Sequence, residues 1–327
     1  MGDIAIGGVP YRRIFCASGA ANIDGGGYPY HKHWWWRGVR GWYNDDRVTK
    51  QMKTITDGSK GNMPLRADGV TPIEFLPRCI VADPITAHAQ NAVGLSCWSY
   101  EKYFDGGIWR GEENNFWISY LANADTPEGR IAQTEKFASA CQQYFPTLRI
   151  KPGVMLNGGC PNVKHRSTFT QEIIEEARIL RRIGGPIGFN CSPVTELEFV
   201  LTLAGYFDLV APCNAIPHAF MAENDEVWLS YWWSKESILK KRGFTEGGWS
   251  GNRCRKYALR IVRQIREADK KVILMGGNGI LAPWDIDRFR NAGADLVSIG
   301  ILPTLYPFRW WLNQVISRAD KIEWEVR

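Results

Sequence analysis

The chain has 327 residues, 45% of them apolar, and a formal net charge of +6. This length fits one large α/β barrel or two smaller domains. No apolar run approaches 18 residues, which argues against a membrane span, and the scattered basic residues argue against a nucleic-acid footprint. The eight cysteines include no Cys-x-x-Cys pair. The first residues lack the layout of a secretory signal, so we expect reduced thiols, a cytoplasmic location and a single domain over residues 1–327.

Short β-branched or aromatic runs alternate with longer helical patterns. The runs predict strands at 14–17, 48–52, 116–121, 154–157, 187–191, 209–213, 272–275 and 296–299. The longer patterns predict helices at 127–144, 170–183, 195–206, 252–269, 283–291 and 308–317. Because helices separate most of the strands, the chain is predicted to form a parallel (β/α)8 TIM barrel. A doubly wound sheet is the competing architecture, and the lack of a Gly-x-Gly-x-x-Gly motif in a first βα unit disfavours it.

Three kinds of segment interrupt this alternation. Residues 22–46 show little helical periodicity where a first helix is expected. The stretches 54–84 and 214–246 are predicted to be loop insertions at the active-site end of the barrel. Tryptophan clusters at 34–36, 232–233 and 310–311 are predicted to serve structural packing or oligomer contact, and a homodimer fits this expectation.

Polar residues follow several predicted strands and would meet at one barrel mouth. They are Ala17, Ser18, Gly19, Asn157, Cys160, Asn162, Asn190, Asn214 and the glycines at 276, 277, 279 and 300, with Asn91 from the first insertion and Lys50 within the second strand. Carboxamides donate and accept hydrogen bonds together, so we expect a planar ligand such as a pyrimidine or a flavin. Glycine-rich turns after the last two strands suit a phosphate.

Cys160 stands between two carboxamides in the sequence Asn157-Gly-Gly-Cys-Pro-Asn162. A thiol there can move a proton if its pKa is lowered, and Lys50 is the candidate cation. The alternative is a small buried hydrophobic residue. No group of His, Cys, Asp or Glu residues has the spacing of metal ligands. His31 and His33 form a weak pair, which is better explained as surface or loop residues.

The chain resembles dihydroorotate dehydrogenase in nine pieces that occur in the family's order from Ala17 to about Leu302. These pieces are 17–19, 49–50 with 61–62, 91–95, 157–162, 186–190, 213–215, 247–251, 275–280, and 292–295 with 298–300. The resemblance implies an FMN-dependent barrel enzyme that oxidises dihydroorotate to orotate in pyrimidine biosynthesis. The membrane-bound class of the family has serine as its base and an N-terminal membrane-associating helix. Because this chain has Cys160 at that position and no such segment is expected, it resembles the soluble class.

Residue by residue, the resemblance implies that Cys160 removes the C5 proton while the C6 hydride passes to N5 of FMN. Asn91, Asn157, Asn162 and Asn214 would hold the substrate, and the N–H groups of Val93, Gly94 and Leu95 would bind its carboxylate. Lys50 would lie beside both flavin and substrate. The remaining implied FMN contacts are Ala17, Ser18, Gly19, Asn157, Asn190, Gly248, Asn278, Gly279, Gly300 and Ile301.

Two of these positions depart from the family pattern. Asn190 stands where the family has a lysine near the flavin ring, and Ile301 stands where a threonine is expected. Two alternative functions follow. One is a related flavin barrel acting on another dihydropyrimidine or an enone, and the other is a barrel that binds flavin or pyrimidine without turnover.

Overall fold

The structure, a computed structural model, describes residues 3–34, 41–158, 170–224, 236–305 and 309–324. Its strands are β1 Ile4–Ile6, β2 Val9–Tyr11, β3 Ile14–Cys16, β4 Val48–Ile55, β5 Asp57–Ser59, β6 Ile80–Asp83, β7 His88–Asn91, β8 Cys97–Ser99, β9 Phe116–Tyr120, β10 Gly153–Asn157, β11 Ile187–Asn190, β12 Leu209–Ala211, β13 Ile216–Pro217, β14 Gly248–Gly251, β15 Met275–Gly276 and β16 Leu296–Ile299. Its α-helices are α1 Tyr100–Asp105, α2 Pro127–Tyr144, α3 Thr170–Arg181, α4 Leu197–Ala204, α5 His218–Asn224, α6 Ile238–Lys241, α7 Arg255–Ala268, α8 Pro283–Asn291, α9 Leu302–Leu305 and α10 Arg309–Lys321.

A parallel sheet forms the centre of the fold. Within the described residues it has eight strands in the order β12-β11-β10-β9-β4-β3-β16-β15, and each neighbouring pair runs parallel. An isolated parallel bridge between Val210 and Leu274 joins the two edge strands. The sheet therefore closes on itself, and the predicted TIM barrel is confirmed.

The barrel interior is filled by large side chains. Trp117 on β9 is fully buried, and its ring centroid lies 5.4 Å from that of Tyr11 and 6.1 Å from that of Phe15. A Cβ atom built on Gly153 would approach the Trp117 ring to 2.6 Å. Glycine at this position of β10 thus makes room for the indole, and close packing leaves no space for a side chain there.

Two smaller sheets combine strands of the predicted insertions with strands from the segments that follow each of them. The four-stranded sheet β13-β14-β7-β6 is antiparallel and the two-stranded sheet pairs β5 with β8. We call the four-stranded sheet the cap, because Ile80, Ala89, Asn91 and Ser250 from it line the cavity described below. The described parts of both insertions therefore contain regular elements, and β4 runs to Ile55, past the predicted loop start at 54.

The chain between β3 and β4 follows the expectation for residues 22–46. Its described part contains two 3-10 turns, Pro29–Lys32 and Trp42–Asn44, and no α-helix. The tryptophan clusters lie partly outside the described residues, which exclude 35–36 and 232–233. Trp34 and Trp310 are largely exposed, at 59% and 66%. Among the described helices, none combines the length and apolarity needed to cross a bilayer.

Candidate active site

A cavity opens at the carboxyl ends of the barrel strands, beneath the cap. It encloses about 250 Å³, near the lower end of the roughly 300–1,000 Å³ typical of small-molecule pockets. Fourteen of the predicted site residues line it: Ala17, Ser18, Gly19, Asn91, Val93, Gly94, Leu95, Asn157, Asn190, Asn214, Asn278, Gly279, Gly300 and Ile301. The barrel topology therefore gathers residues that are up to 284 positions apart in the sequence.

A chain of neutral hydrogen bonds joins residues of the cavity lining. The Asn157 Nδ2 donates to Thr54 Oγ1 at 3.0 Å, and the Asn214 Nδ2 donates to Asn157 Oδ1 at 2.9 Å. The Asn278 Nδ2 continues the chain by donating to the Asn214 carbonyl at 2.8 Å. Ser119 lies 2.8 Å from the Thr54 hydroxyl at the other end. We call this set the carboxamide chain; because its members fix one another, their orientation is set before a ligand binds.

The lysine of the cavity is Lys53, and the structure corrects the placement predicted for Lys50. Both lie on β4, where side chains alternate between the two faces of the sheet. Gln51 and Lys53 share the cavity face. Lys50 lies on the other face, where its Nζ is 2.8 Å from each Glu112 carboxylate oxygen. Lys53 Nζ donates to the Ser96 carbonyl at 2.7 Å.

The turn at residues 93–95 presents backbone donors to the cavity. Gly94 adopts a left-handed φ of 65°, a conformation that favours glycine. Within the described part of the chain, the N–H groups of Val93, Gly94 and Leu95 have no hydrogen-bond acceptor. Successive free N–H groups form an anion-binding nest, and Lys53 reaches the same turn through Ser96. We call residues 93–95 the carboxylate turn.

A second set of backbone donors lies where β15 and β16 end. Gly279, Ile280, Gly300 and Ile301 line the cavity, and their N–H groups find no acceptor among the described residues. A Cβ atom on Gly300 would come within 2.8 Å of the Ala17 Cβ, so this backbone approaches its neighbour as closely as only glycine permits. These four residues, which we call the phosphate corner, could hold an anionic group such as a phosphate.

The ionisable side chains of the cavity are mostly held neutral. Burial raises the pKa of the Cys213 thiol to about 12, and the neighbouring Cys191 adds to the effect. Burial likewise raises the pKa of Tyr28 and of Tyr30, whose rings stack at 5.4 Å. The described lining contains one cation, Lys53, and no carboxylate. The cavity therefore favours an anionic ligand.

The two positions that depart from the family pattern both line the cavity. Asn190 is 5% exposed, and its Oδ1 lies 3.8 Å from the Cys213 Sγ, the thiol donating. Ile301 packs in a small apolar cluster with Ala89, Leu281 and Leu305. Asn190 thus brings a neutral amide to the cavity, whereas Ile301 contributes its backbone N–H and not a polar side chain.

Three further predicted residues have other outcomes: one lies away from the cavity lining, and two fall outside the described residues. Gly248 lies within β14, paired with Asn91 of β7, and Ser250 from the same strand lines the cavity in its place. Cys160 and Asn162 lie outside the described residues, between Asn157 at the end of β10 and Thr170 at the start of α3. No group of three or more His, Cys, Asp or Glu side chains suited to a metal occurs in the described ranges.

The prediction missed Lys53, Thr54, Ser119, Tyr28 and Tyr30. The spacing of Gln51 and Lys53 by two residues was the available signal for Lys53, since a strand places such residues on one face. Thr54 and Ser119 carry no comparable signal. Their role as neighbours of Asn157 arises from the register between β4, β9 and β10.

Sequence comparison gives a limited match. No protein-family model matches the chain. A stretch of 64 residues is 36% identical to the dihydroorotate dehydrogenase B (NAD(+)) catalytic subunit of Fusobacterium nucleatum. This stretch covers 20% of the chain and 21% of that protein, so the match spans about a fifth of the curated relative.

Comparison with solved structures extends over nearly the whole chain. The DHODH of Eimeria tenella in complex with ferulenol matches with a TM-score of 0.67 and 12% identity, over 97% of this chain and 83% of that one. Its ligand-free form matches with a TM-score of 0.67 and 14% identity, over 97% and 86%. The chain has the fold of a dihydroorotate dehydrogenase. At these identities the likeness concerns the fold alone.

Proposed function

We propose that the protein is an FMN-dependent oxidoreductase that converts dihydroorotate to orotate. The observation that carries the proposal is the cavity itself, whose lining combines a neutral carboxamide chain with two sets of unpaired backbone donors. Dihydroorotate has a ring with alternating carbonyl and N–H groups and one carboxylate. FMN adds a planar ring system and a phosphate. The cavity offers a partner of the right chemistry for each of these groups.

The substrate would be held at two places. Asn91, Asn157 and Asn214, with Asn162, would pair with the ring carbonyl and N–H groups, since carboxamides both donate and accept. The carboxylate turn would bind the carboxylate through its free N–H groups, with the Lys53 charge nearby. The phosphate corner would hold FMN by its phosphate, with Ala17, Ser18, Gly19, Asn190 and Asn278 as further lining residues.

Proton removal from C5 requires a base. The described lining contains no carboxylate and no histidine, and burial keeps the Cys213 thiol and the two tyrosines protonated. Cys160, three positions after Asn157, is therefore our candidate base. A cation favours its thiolate form, and Lys53 supplies the cation that the cavity contains. The substrate loses the C5 proton to Cys160, and its C6 hydrogen leaves as hydride.

The cavity residues named above would hold FMN, which when bound would supply the acceptor for that hydride. The protein's own task is to orient the ring and to stabilise the negative charge that develops beside its C4 carbonyl. Hydrogen bonds that are already oriented stabilise such a charge most effectively. The mutual bonding of Thr54, Asn157 and Asn214 provides this orientation.

The first test is the absorption spectrum of the purified protein, followed by anaerobic addition of dihydroorotate. We expect a yellow flavin spectrum that bleaches on mixing. A protein that stays colourless after incubation with FMN would overturn the flavin assignment. Bleaching by another dihydropyrimidine or an enone, but not by dihydroorotate, would retain the flavin and overturn the substrate. Flavin that no reduced substrate bleaches would indicate a barrel that binds without turnover.

A further inference from the structure

Arg255 lies directly behind the phosphate corner. It is the first residue of α7, and its Nη1 donates to the Gly279 carbonyl at 3.2 Å. A Cβ atom on Gly279 would approach the Arg255 Cβ to 2.7 Å, so the glycine backbone rests against the arginine side chain. Gly279 itself has a left-handed φ of 119°. The turn after β15 is therefore fitted to Arg255 on one side while its N–H groups remain unpaired.

Asp285 holds Arg255 in this position. Its side chain is fully buried, and its Oδ2 accepts from Arg255 Nη1 at 2.8 Å and from the N–H groups of Leu281 and Ala282. Its Oδ1 accepts from Arg288 Nη1 at 3.0 Å. The carboxylate thus connects the guanidinium to the chain that directly follows the phosphate corner.

The charges of this network favour an anion. Two guanidinium groups, Arg255 and Arg288, share one carboxylate, so the network has one positive charge in excess. The Arg255 side chain is 19% exposed and that of Arg288 is 51% exposed. Because water screens Arg288 more strongly, the excess charge acts on the phosphate corner mainly through Arg255.

We propose that Arg255 is a positioning residue for the phosphate of the cofactor. It fixes the Gly279 carbonyl and thereby the turn whose N–H groups bind the phosphate, and it adds a positive charge behind them. This inference rests on the proposed function, because it concerns the FMN assigned to the same cavity. A purely structural role would predict that loss of Arg255 weakens the binding of flavins with and without a phosphate. The proposed role predicts weaker binding only for the flavin that carries the phosphate.

The test compares two ligands, FMN and riboflavin, which differ by the phosphate. Full-length protein freed of flavin is titrated with each ligand, and the dissociation constant is taken from flavin fluorescence. The variants are Arg255→Gln, Arg255→Lys and, as the matched control, Arg288→Gln, which removes the other arginine bound to Asp285. We expect Arg255→Gln to weaken FMN binding by about tenfold to a hundredfold, as for loss of a charged hydrogen-bond partner, and riboflavin binding by less than about twofold.

Arg255→Lys keeps the charge but not the planar fork, so its FMN affinity should fall between those of wild type and Arg255→Gln. Arg288→Gln should leave both affinities near wild type. Equal weakening of FMN and riboflavin in Arg255→Gln would overturn the inference and leave Arg255 a structural residue. Unchanged FMN binding would overturn it as well. A wild-type protein that binds neither FMN nor riboflavin would overturn the proposed function. A wild-type protein that binds both with equal affinity would overturn only the assignment of the phosphate corner, and with it the role of Arg255.

Discussion

Two buried polar networks of this protein differ in what they leave unpaired. On the flank of the barrel, Arg130 donates to both carboxylate oxygens of Glu172 at 2.7 and 2.9 Å and to the carbonyls of Ala124 and Asp125. Thr134 donates to Glu176 at 2.8 Å. At the mouth, the carboxamide chain is neutral throughout, and the turns beside it keep backbone donors without an acceptor among the described residues.

The comparison shows that charge density is a poor guide to the site. The flank network holds one arginine and two glutamates, yet its members bind one another between α2 and α3, which is a structural role. The mouth of the barrel has one described cation, Lys53, and the backbone N–H groups without an acceptor there are the groups that a ligand can bind. The following predictions test this division, because changes at the mouth should alter binding or turnover and changes at the flank should alter stability alone.

The largest effect is expected for Cys160→Ala. The variant should keep its flavin, but its bleaching by dihydroorotate at neutral pH should slow by about 10²- to 10⁴-fold, the usual contribution of a general base. Stopped-flow absorbance measures this rate. Cys141→Ala, which removes a buried thiol of α2, is the control and should lower the melting temperature only. A Cys160→Ala protein that bleaches at the wild-type rate would show that another group takes the proton.

The next effect separates two lysines of one strand. Lys53→Met should slow bleaching by about ten- to a hundredfold, because the cavity loses the positive charge that would favour the Cys160 thiolate and the substrate carboxylate. Lys50→Met should leave the rate per folded molecule unchanged and lower the free energy of unfolding, since it leaves Glu112 without its cation. Anaerobic bleaching and urea unfolding measure the two effects. The opposite outcome, with Lys50 affecting the rate and Lys53 only the stability, would restore the placement predicted from the sequence.

A smaller effect is expected for Gly300→Ala at the phosphate corner. The added methyl group would lie 2.8 Å from the Ala17 Cβ, so the backbone must shift and FMN affinity should fall by about tenfold, or roughly 1.4 kcal/mol. Gly205→Ala is the control, because a Cβ atom there meets nothing within 4 Å. Fluorescence titration with FMN checks both variants. Equal affinities would mean that the phosphate does not depend on this corner.

A change in the flank network should have the smallest effect on turnover and no effect on ligand binding. Burial and the nearby Glu172 raise the pKa of Glu176 to about 7, so the folded protein keeps a proton that the unfolded chain releases between about pH 4.5 and 7. The free energy of unfolding should therefore fall as pH rises through this window, by up to about 3 kcal/mol. Glu176→Gln should remove that part of the slope in urea melts at pH 5 and pH 8. A Glu176→Gln variant with the wild-type slope would contradict the raised pKa.

The sequence was sufficient for the barrel and for most of the mouth. Strands such as Phe116–Tyr120 and Leu296–Ile299 are short runs of apolar, β-branched and aromatic residues, and the asparagines that follow strands met where a barrel requires. The sequence was insufficient to predict which side chains of β4 face the cavity. The apolar residues Val48, Met52 and Ile55 do not define an inward face, and a register shift lies between Met52 and Ile55. The free N–H groups of residues 93–95 were predicted from the family resemblance and not from composition or spacing, since an unpaired backbone donor depends on distant neighbours.

The filling of the barrel by Trp117 has a consequence for the order of events in catalysis. With the axis occupied by Trp117, Tyr11 and Phe15, molecules reach the cavity from the side of the cap. Under the proposed function, substrate and product would share this route with any small electron acceptor that enters the cavity. We expect product to leave before the acceptor enters, so steady-state rates measured at several concentrations of both should give the parallel double-reciprocal lines of a ping-pong mechanism.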